Sequence, residues 1–136
     1  YPNRTRSTEI YTVKKHKGHD YSDLIDAYTN VKSGYDLLFK DVERISAIAK
    51  IENGIEIWED ALEETNPFDN KDRINKKVTA LLYANLAEAY MWTNDFDSAD
   101  NYLQKAKIGG VSKYKTFAKR LQGVLNGLKA RYEVNN

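Results

Sequence analysis

Apolar residues recur three or four positions apart through most of the chain, the spacing of one buried helix face. In the first stretch these are Leu24, Tyr28, Val31, Tyr35, Leu38, Val42 and Ile45. Asp20 or Ser22 can cap its start, because a side-chain oxygen accepts from the free amides of a first turn. Ser33-Gly34 and Asp41 are two points of interruption, so the stretch reads either as one long helix or as a helical hairpin. Residues 50–65 continue the rhythm through Ile51, Ile55, Trp58 and Leu62, with Glu52, Glu56, Glu59 and Glu63 on another stripe. Pro67 then ends that helix, since the residue before a proline avoids helical angles. Asp69 or Asn70 can cap the next, which is predicted to run from about residue 71 to Thr93.

The clearest pattern lies in residues 80–107. Tyr83, Leu86 and Tyr90 alternate with Ala84, Ala87 and Ala89; the turn signal Thr93-Asn94-Asp95 follows, then Phe96, Ala99, Tyr102, Leu103 and Ala106. Small residues at Ala87, Ala99 and Ala106 let two helix backbones approach closely, and the large ones fill what remains. This pair of helices resembles a tetratricopeptide repeat (TPR). Ile51, Gly54, Trp58 and Ala61 stand where Phe96, Ala99, Leu103 and Ala106 stand, but the two sets are 45 positions apart, against about 34 in the repeat. Asp41 falls where the pattern wants a large apolar residue, so the first repeat is degenerate.

Gly109-Gly110 terminate a helix, as glycine readily takes the left-handed conformation of a helix end. Ser112 can cap a last helix with the stripe Tyr114, Phe117, Ala118, Leu121, Val124, Leu125, Leu128 and Tyr132. Lys115, Lys119, Arg120, Asn126, Lys129 and Arg131 fall mostly off that stripe, and Asn135-Asn136 are expected to fray. An amphipathic last helix is what closes the end of a short repeat array. The expected fold is therefore all-α: a right-handed stack of antiparallel helix pairs over residues 21–136, about five helices, with an amphipathic capping helix at its C-terminus. Residues 1–20 form a separate basic arm, flexible or extended, in which Ile10, Tyr11 and Val13 suit a short extended piece.

The balance of 21 Lys and Arg against 20 Asp and Glu gives a net charge of +1. The distribution is uneven. The arm carries Arg4, Arg6, Lys14, Lys15 and Lys17, the middle is acidic, and the last third is basic again. Either the ends neutralise the middle, or they steer an acidic partner. Cysteine is absent, which excludes disulfide and thiolate chemistry. No apolar run approaches the roughly 20 residues of a membrane span. The chain starts at Tyr1 rather than Met, so it reads as a processed or partial chain.

Catalytic motifs are missing. His16 and His19 fall in the arm without a zinc-type spacing, and Gly109-Gly110 lacks the strand and lysine of a phosphate loop. Glu52, Glu56, Glu59 and Glu63 read as a solvated helix face, and Trp58, Tyr83, Tyr90, Phe96 and Tyr102 as core. No enzyme activity, cofactor or metal is expected, and no motif supports nucleic-acid binding. The TPR resemblance implies partner binding on a concave face made by the first helix of each repeat. On this chain that face comprises Leu81, Asn85, Glu88 and Trp92. Asn85 holds the position at which such proteins bond an extended peptide's backbone, an amide being both donor and acceptor. The cationic residues that grip a terminal carboxylate in some TPRs have no counterpart. Trp92 reads as exposed in the groove or as covered by the arm. The expected function is a scaffold that binds a peptide segment or partner protein, with self-association as a further mode. The alternative is glycan or small-ligand binding in a bacterial envelope complex. A looser likeness of EIWEDAL and YANLAEAY to TPR-containing envelope lipoproteins points that way, and to an extracytoplasmic location.

Overall fold

Among the described residues five helices carry the fold: α1 (Ser22–Phe39), α2 (Arg44–Leu62), α3 (Lys76–Trp92), α4 (Phe96–Ile108) and α5 (Ser112–Asn135). They come from a computed structural model that describes residues 9–14, 18–64 and 73–135. Consecutive helices pack on one another, and α3 also meets α5. All regular secondary structure among the described residues is helical, and no helix is long and apolar enough to cross a membrane.

The first stretch is a hairpin, not one long helix. Its turn is built by Asp41 and Glu43, which both take left-handed backbone angles (φ 58° and 47°). That turn carries Val42 out to solvent, and Ile45 just inside α2 stays 89% exposed, so these two leave the apolar face on which the periodicity had placed them. Gly34, an expected break, lies inside α1 and serves contact. A Cβ there would lie 2.7 Å from Ile51 Cγ1 and 2.8 Å from the Ala47 carbonyl oxygen. A Cβ on Gly54 would lie 2.2 Å from Val31 Cγ2. The pairs 34 with 51 and 31 with 54 fix α1 and α2 as antiparallel, with backbones close enough to need both glycines.

Neither Asp20 nor Ser22 caps α1. Tyr21 holds the cap position without a side-chain bond, and Asp20 Oδ1 accepts from the Ser22 N–H at 2.9 Å. Helix α3 starts at Lys76, later than the expected residue 71, because Asn75 is its cap and accepts from the Val78 N–H at 3.0 Å. Asp69 and Asn70 lie outside the described residues. Ahead of the cap, Ile74 is fully buried. The Arg73 guanidinium meets Asp23 at 2.7 Å and also pairs with Glu64, tying the starts of α1 and α3 to the end of α2.

Helices α3 and α4 follow the small-and-large pattern, with Ala84, Ala87, Ala99 and Ala106 all fully buried. Asp95 caps α4 by accepting from the Ser98 N–H at 3.1 Å, and Asn94 takes the left-handed turn position (φ 67°). Trp58 is core, 1% exposed. Tyr83, Tyr90, Phe96 and Tyr102 pack against the core but are only half-buried, so they edge it rather than lie inside it as expected. On α5 the residues Tyr114, Phe117, Ala118, Leu121 and Leu125 are buried and Val124 and Tyr132 are exposed. The helix runs through Asn135, where fraying was expected; Asn136 is outside the described residues.

Candidate functional site

Leu81, Asn85, Glu88 and Trp92 stand at i, i+4, i+7 and i+11 on α3, which puts them on one face. The structure brings all four together, and it fills the groove in front of them with the chain's own residues 9–14. The Tyr11 N–H donates to Asn85 Oδ1 at 3.0 Å, and Asn85 Nδ2 donates to the Tyr11 carbonyl at 2.7 Å. One residue's N–H and C=O point to the same side only when its backbone is extended, so the amide of Asn85 replaces a neighbouring strand. One helical turn away, the Glu9 N–H donates to Glu88 Oε1 at 3.2 Å. On the other side, Val13 and Leu81 share an open cavity.

Two pairs, 9 with 88 and 11 with 85, set a register, and Val13 follows on the side of the cavity that Leu81 also lines. Two extended residues advance about 6.6 Å, close to the about 5.4 Å of one helical turn. The arm therefore runs antiparallel to α3, and every second arm residue meets the next turn of the helix.

The far wall of the groove is α5. The Tyr11 ring packs edge-on against Tyr114 (4.9 Å between centroids) and Phe117 (5.3 Å), and Lys113 Nζ sits 4.7 Å from its centre. Arg120 pairs with Glu9, whose Oε2 also accepts from the Tyr11 hydroxyl at 3.1 Å. Burial and the adjacent Glu9 push the Tyr11 phenol up to about 12.

Glu88 is fully buried. Its Oε2 accepts from Trp92 Nε1 at 3.1 Å, so it joins the arm to the last turn of α3. Burial pushes its carboxyl up to about 8, against the pull of its two N–H donors. Trp92 is half-buried, and its ring meets Phe39 of α1 edge-on at 5.0 Å. Among the described residues it meets Phe39 of α1 and Glu88.

Beyond Val13 the groove opens into a cleft of about 550 Å³, lined by Val78, Leu81 and Val111 with Lys14, Lys77 and Lys113. The periodicity assigned Tyr114 and Phe117 to packing and Arg120 to the solvated side, and so missed them as groove residues. Their spacing of three was the available signal, since it puts two aromatics and a cation along one edge of α5.

A second concavity, about 700 Å³, lies between α2 and the α3–α4 pair. Glu59 Oε2 accepts there from the hydroxyls of Tyr90 and Tyr102, both at 2.8 Å, and both phenols are pushed up by burial and by Glu59. Glu52, Glu56 and Glu63 are exposed along its rim. His19 is half-buried with its ring 6.2 Å from Tyr21, and His16 lies outside the described residues. No three His, Asp or Glu side chains among the described residues converge as a metal-binding set.

No family model, curated protein or solved structure matches this chain. The functional reading therefore rests on the groove itself.

Proposed function

We propose that this chain is a non-catalytic interaction module, a TPR-like stack of helix pairs that holds an extended peptide segment of a partner protein against α3. The observation that carries this reading is the two-way hydrogen bond between Asn85 and the backbone of Tyr11. It reads main chain rather than side chain, so it suits any extended segment. The groove also supplies what a peptide site needs besides backbone bonds: an aromatic slot between Tyr114 and Phe117, a cation at Arg120 and an apolar stretch at Leu81. In this proposal α5 is both the closing helix of the array and one wall of its binding groove.

The test is a selection of displayed random peptides on the intact chain carrying Tyr11→Ala, which loosens the resident segment. It is repeated with Asn85→Asp added, which keeps an acceptor and removes the donor. Peptides recovered by the first protein and lost with the second, at equal helical content, support the reading. Recovery of none, or equal recovery by both, overturns it.

The small-ligand alternative draws on a different surface, the tyrosine-lined cleft around Glu59, and predicts binding that Asn85→Asp leaves unchanged.

A further inference from the structure

The register of the resident segment specifies more than backbone. We infer that the groove selects an extended peptide with an acidic residue, an aromatic residue two positions later and an aliphatic residue two after that, and that residues 9–14 are a displaceable internal copy of this ligand. This rests on the peptide-binding reading above and deepens it.

Three side chains of the segment point into built places. Glu9 meets Arg120. The Tyr11 ring fills the slot between Tyr114 and Phe117, with a lysine ammonium over its face. Val13 is 9% exposed beside Leu81. Thr12 and Lys14 are exposed, so those positions accept many residue types, whereas Ile10 is half-buried against the core. From Tyr11 to Lys14 the alternation is that of a strand with one face buried, and a shift by one residue would turn Tyr11 and Val13 outward.

The hold on the segment is local. Among the described residues it comprises three main-chain hydrogen bonds, one ion pair between half-exposed and exposed side chains, the contacts of the Tyr11 ring with Tyr114, Phe117 and Lys113, and the packing of Ile10 and Val13 on the core. Because the segment is tethered a few residues ahead of α1, its effective concentration is of millimolar order. A free peptide of the same pattern therefore competes poorly with the intact segment and well with a weakened one. The open cleft beyond Val13 gives an incoming chain a place to start.

The test uses a fluorescein-labelled peptide of the sequence STEIYTVK, matching residues 7–14, and a shuffled peptide of identical composition. Fluorescence anisotropy is measured with the intact wild-type chain and with the intact Tyr11→Ala chain. The ordered peptide is expected to bind Tyr11→Ala at least about tenfold more tightly than wild type, and at least about tenfold more tightly than the shuffled peptide does. Adding Asn85→Asp is expected to abolish both differences. Should Tyr11→Ala lose helix, Glu9→Lys, which repels Arg120 and leaves the groove walls untouched, takes its place with the same expected result. Equal binding of ordered and shuffled peptides, lost with Asn85→Asp, overturns the pattern and leaves the peptide-binding reading standing. Binding of neither peptide to a helical, loosened chain overturns both and makes residues 9–14 a fixed part of the fold.

Discussion

Asn85 and Tyr11, 74 positions apart in sequence, exchange two hydrogen bonds between one side-chain amide and one residue's main chain. The pairing satisfies a buried amide that otherwise costs free energy, and it fixes where the N-terminal segment lies. Asn85 is 2% exposed with residues 9–14 in place, so its amide depends on Tyr11 for its partners. Replacing Asn85 by Ala is expected to destabilise the chain by about 1–3 kcal/mol. The loss has a ceiling, because undocking of residues 9–14 lets water satisfy Tyr11. Asn85→Ala and Tyr11→Ala are therefore expected to be clearly less than additive in a double-mutant cycle read by urea unfolding.

Glycine substitutions are expected to split by sign. At Gly54 an added Cβ meets Val31 Cγ2 at 2.2 Å, and at Gly34 it meets the Ala47 carbonyl at 2.8 Å. Alanine at either position forces α1 and α2 apart, costing about 1–3 kcal/mol. Gly123 and Gly127 lie inside α5 with nothing within 4 Å of an added Cβ. Alanine there is expected to stabilise by about 0.5–1 kcal/mol each, through lower backbone entropy of the unfolded chain. Thermal unfolding of the four single variants checks both signs.

Glu88 gives the stability a pH dependence. Its folded value, about 8, is raised above the ordinary 4.5 by burial. Between those values the folded chain holds a proton that the unfolded chain has released. Stability from this group is therefore full below about pH 4.5, falls as pH rises through the window, and levels off above about 8. The groups facing Glu88 are Glu9 and Arg120 from the groove, with Trp92 and Tyr35. Glu88→Gln is expected to flatten this slope, at some cost because one of the two N–H donors loses its acceptor. Urea midpoints at pH 5 and pH 8 for both proteins measure it.

Arg73 works in the opposite pH range. Its hydrogen bonds hold the Asp23 carboxyl below its usual value. That contribution is present above the ordinary Asp value and is lost as the solution is acidified through the lowered one. Because Asp23 and Glu64 are both partly exposed, Arg73→Ala is expected to cost only about 1 kcal/mol at neutral pH. Arg73→Lys recovers less than half of that, since a single ammonium does not fork between two carboxylates. The difference between the wild type and Arg73→Ala should shrink at low pH in thermal scans.

The α3–α4 pair was readable because its signal is redundant: buried alanines, flanking large residues and an Asn-Asp turn all agree. The α1–α2 turn was not, because Asp41 and Glu43 adopt left-handed angles without a glycine or proline to announce them. Gly34 misled for the complementary reason, marking a close helix approach where a break was expected. At the groove, the resemblance to a TPR picked out Leu81, Asn85, Glu88 and Trp92, and helical spacing puts them on one face. It did not reveal that Glu9, Tyr11 and Val13 lie against that face, since three alternating residues are too short a strand signal to stand out in a basic arm. The spacing of three put Tyr114, Phe117 and Arg120 along one edge of α5, but their role as a groove wall follows only from that docking.

The most direct measurement is hydrogen exchange at the Tyr11 amide, followed residue by residue in the intact chain and in Asn85→Ala, which removes the acceptor of that amide. The account predicts that this amide exchanges more slowly than in an unstructured peptide in the wild type and at the unstructured rate in the variant, with the amides of α3 protected in both. An unprotected Tyr11 amide in the wild type, or equal protection in the variant, would contradict the claim that Asn85 holds an extended backbone in the groove.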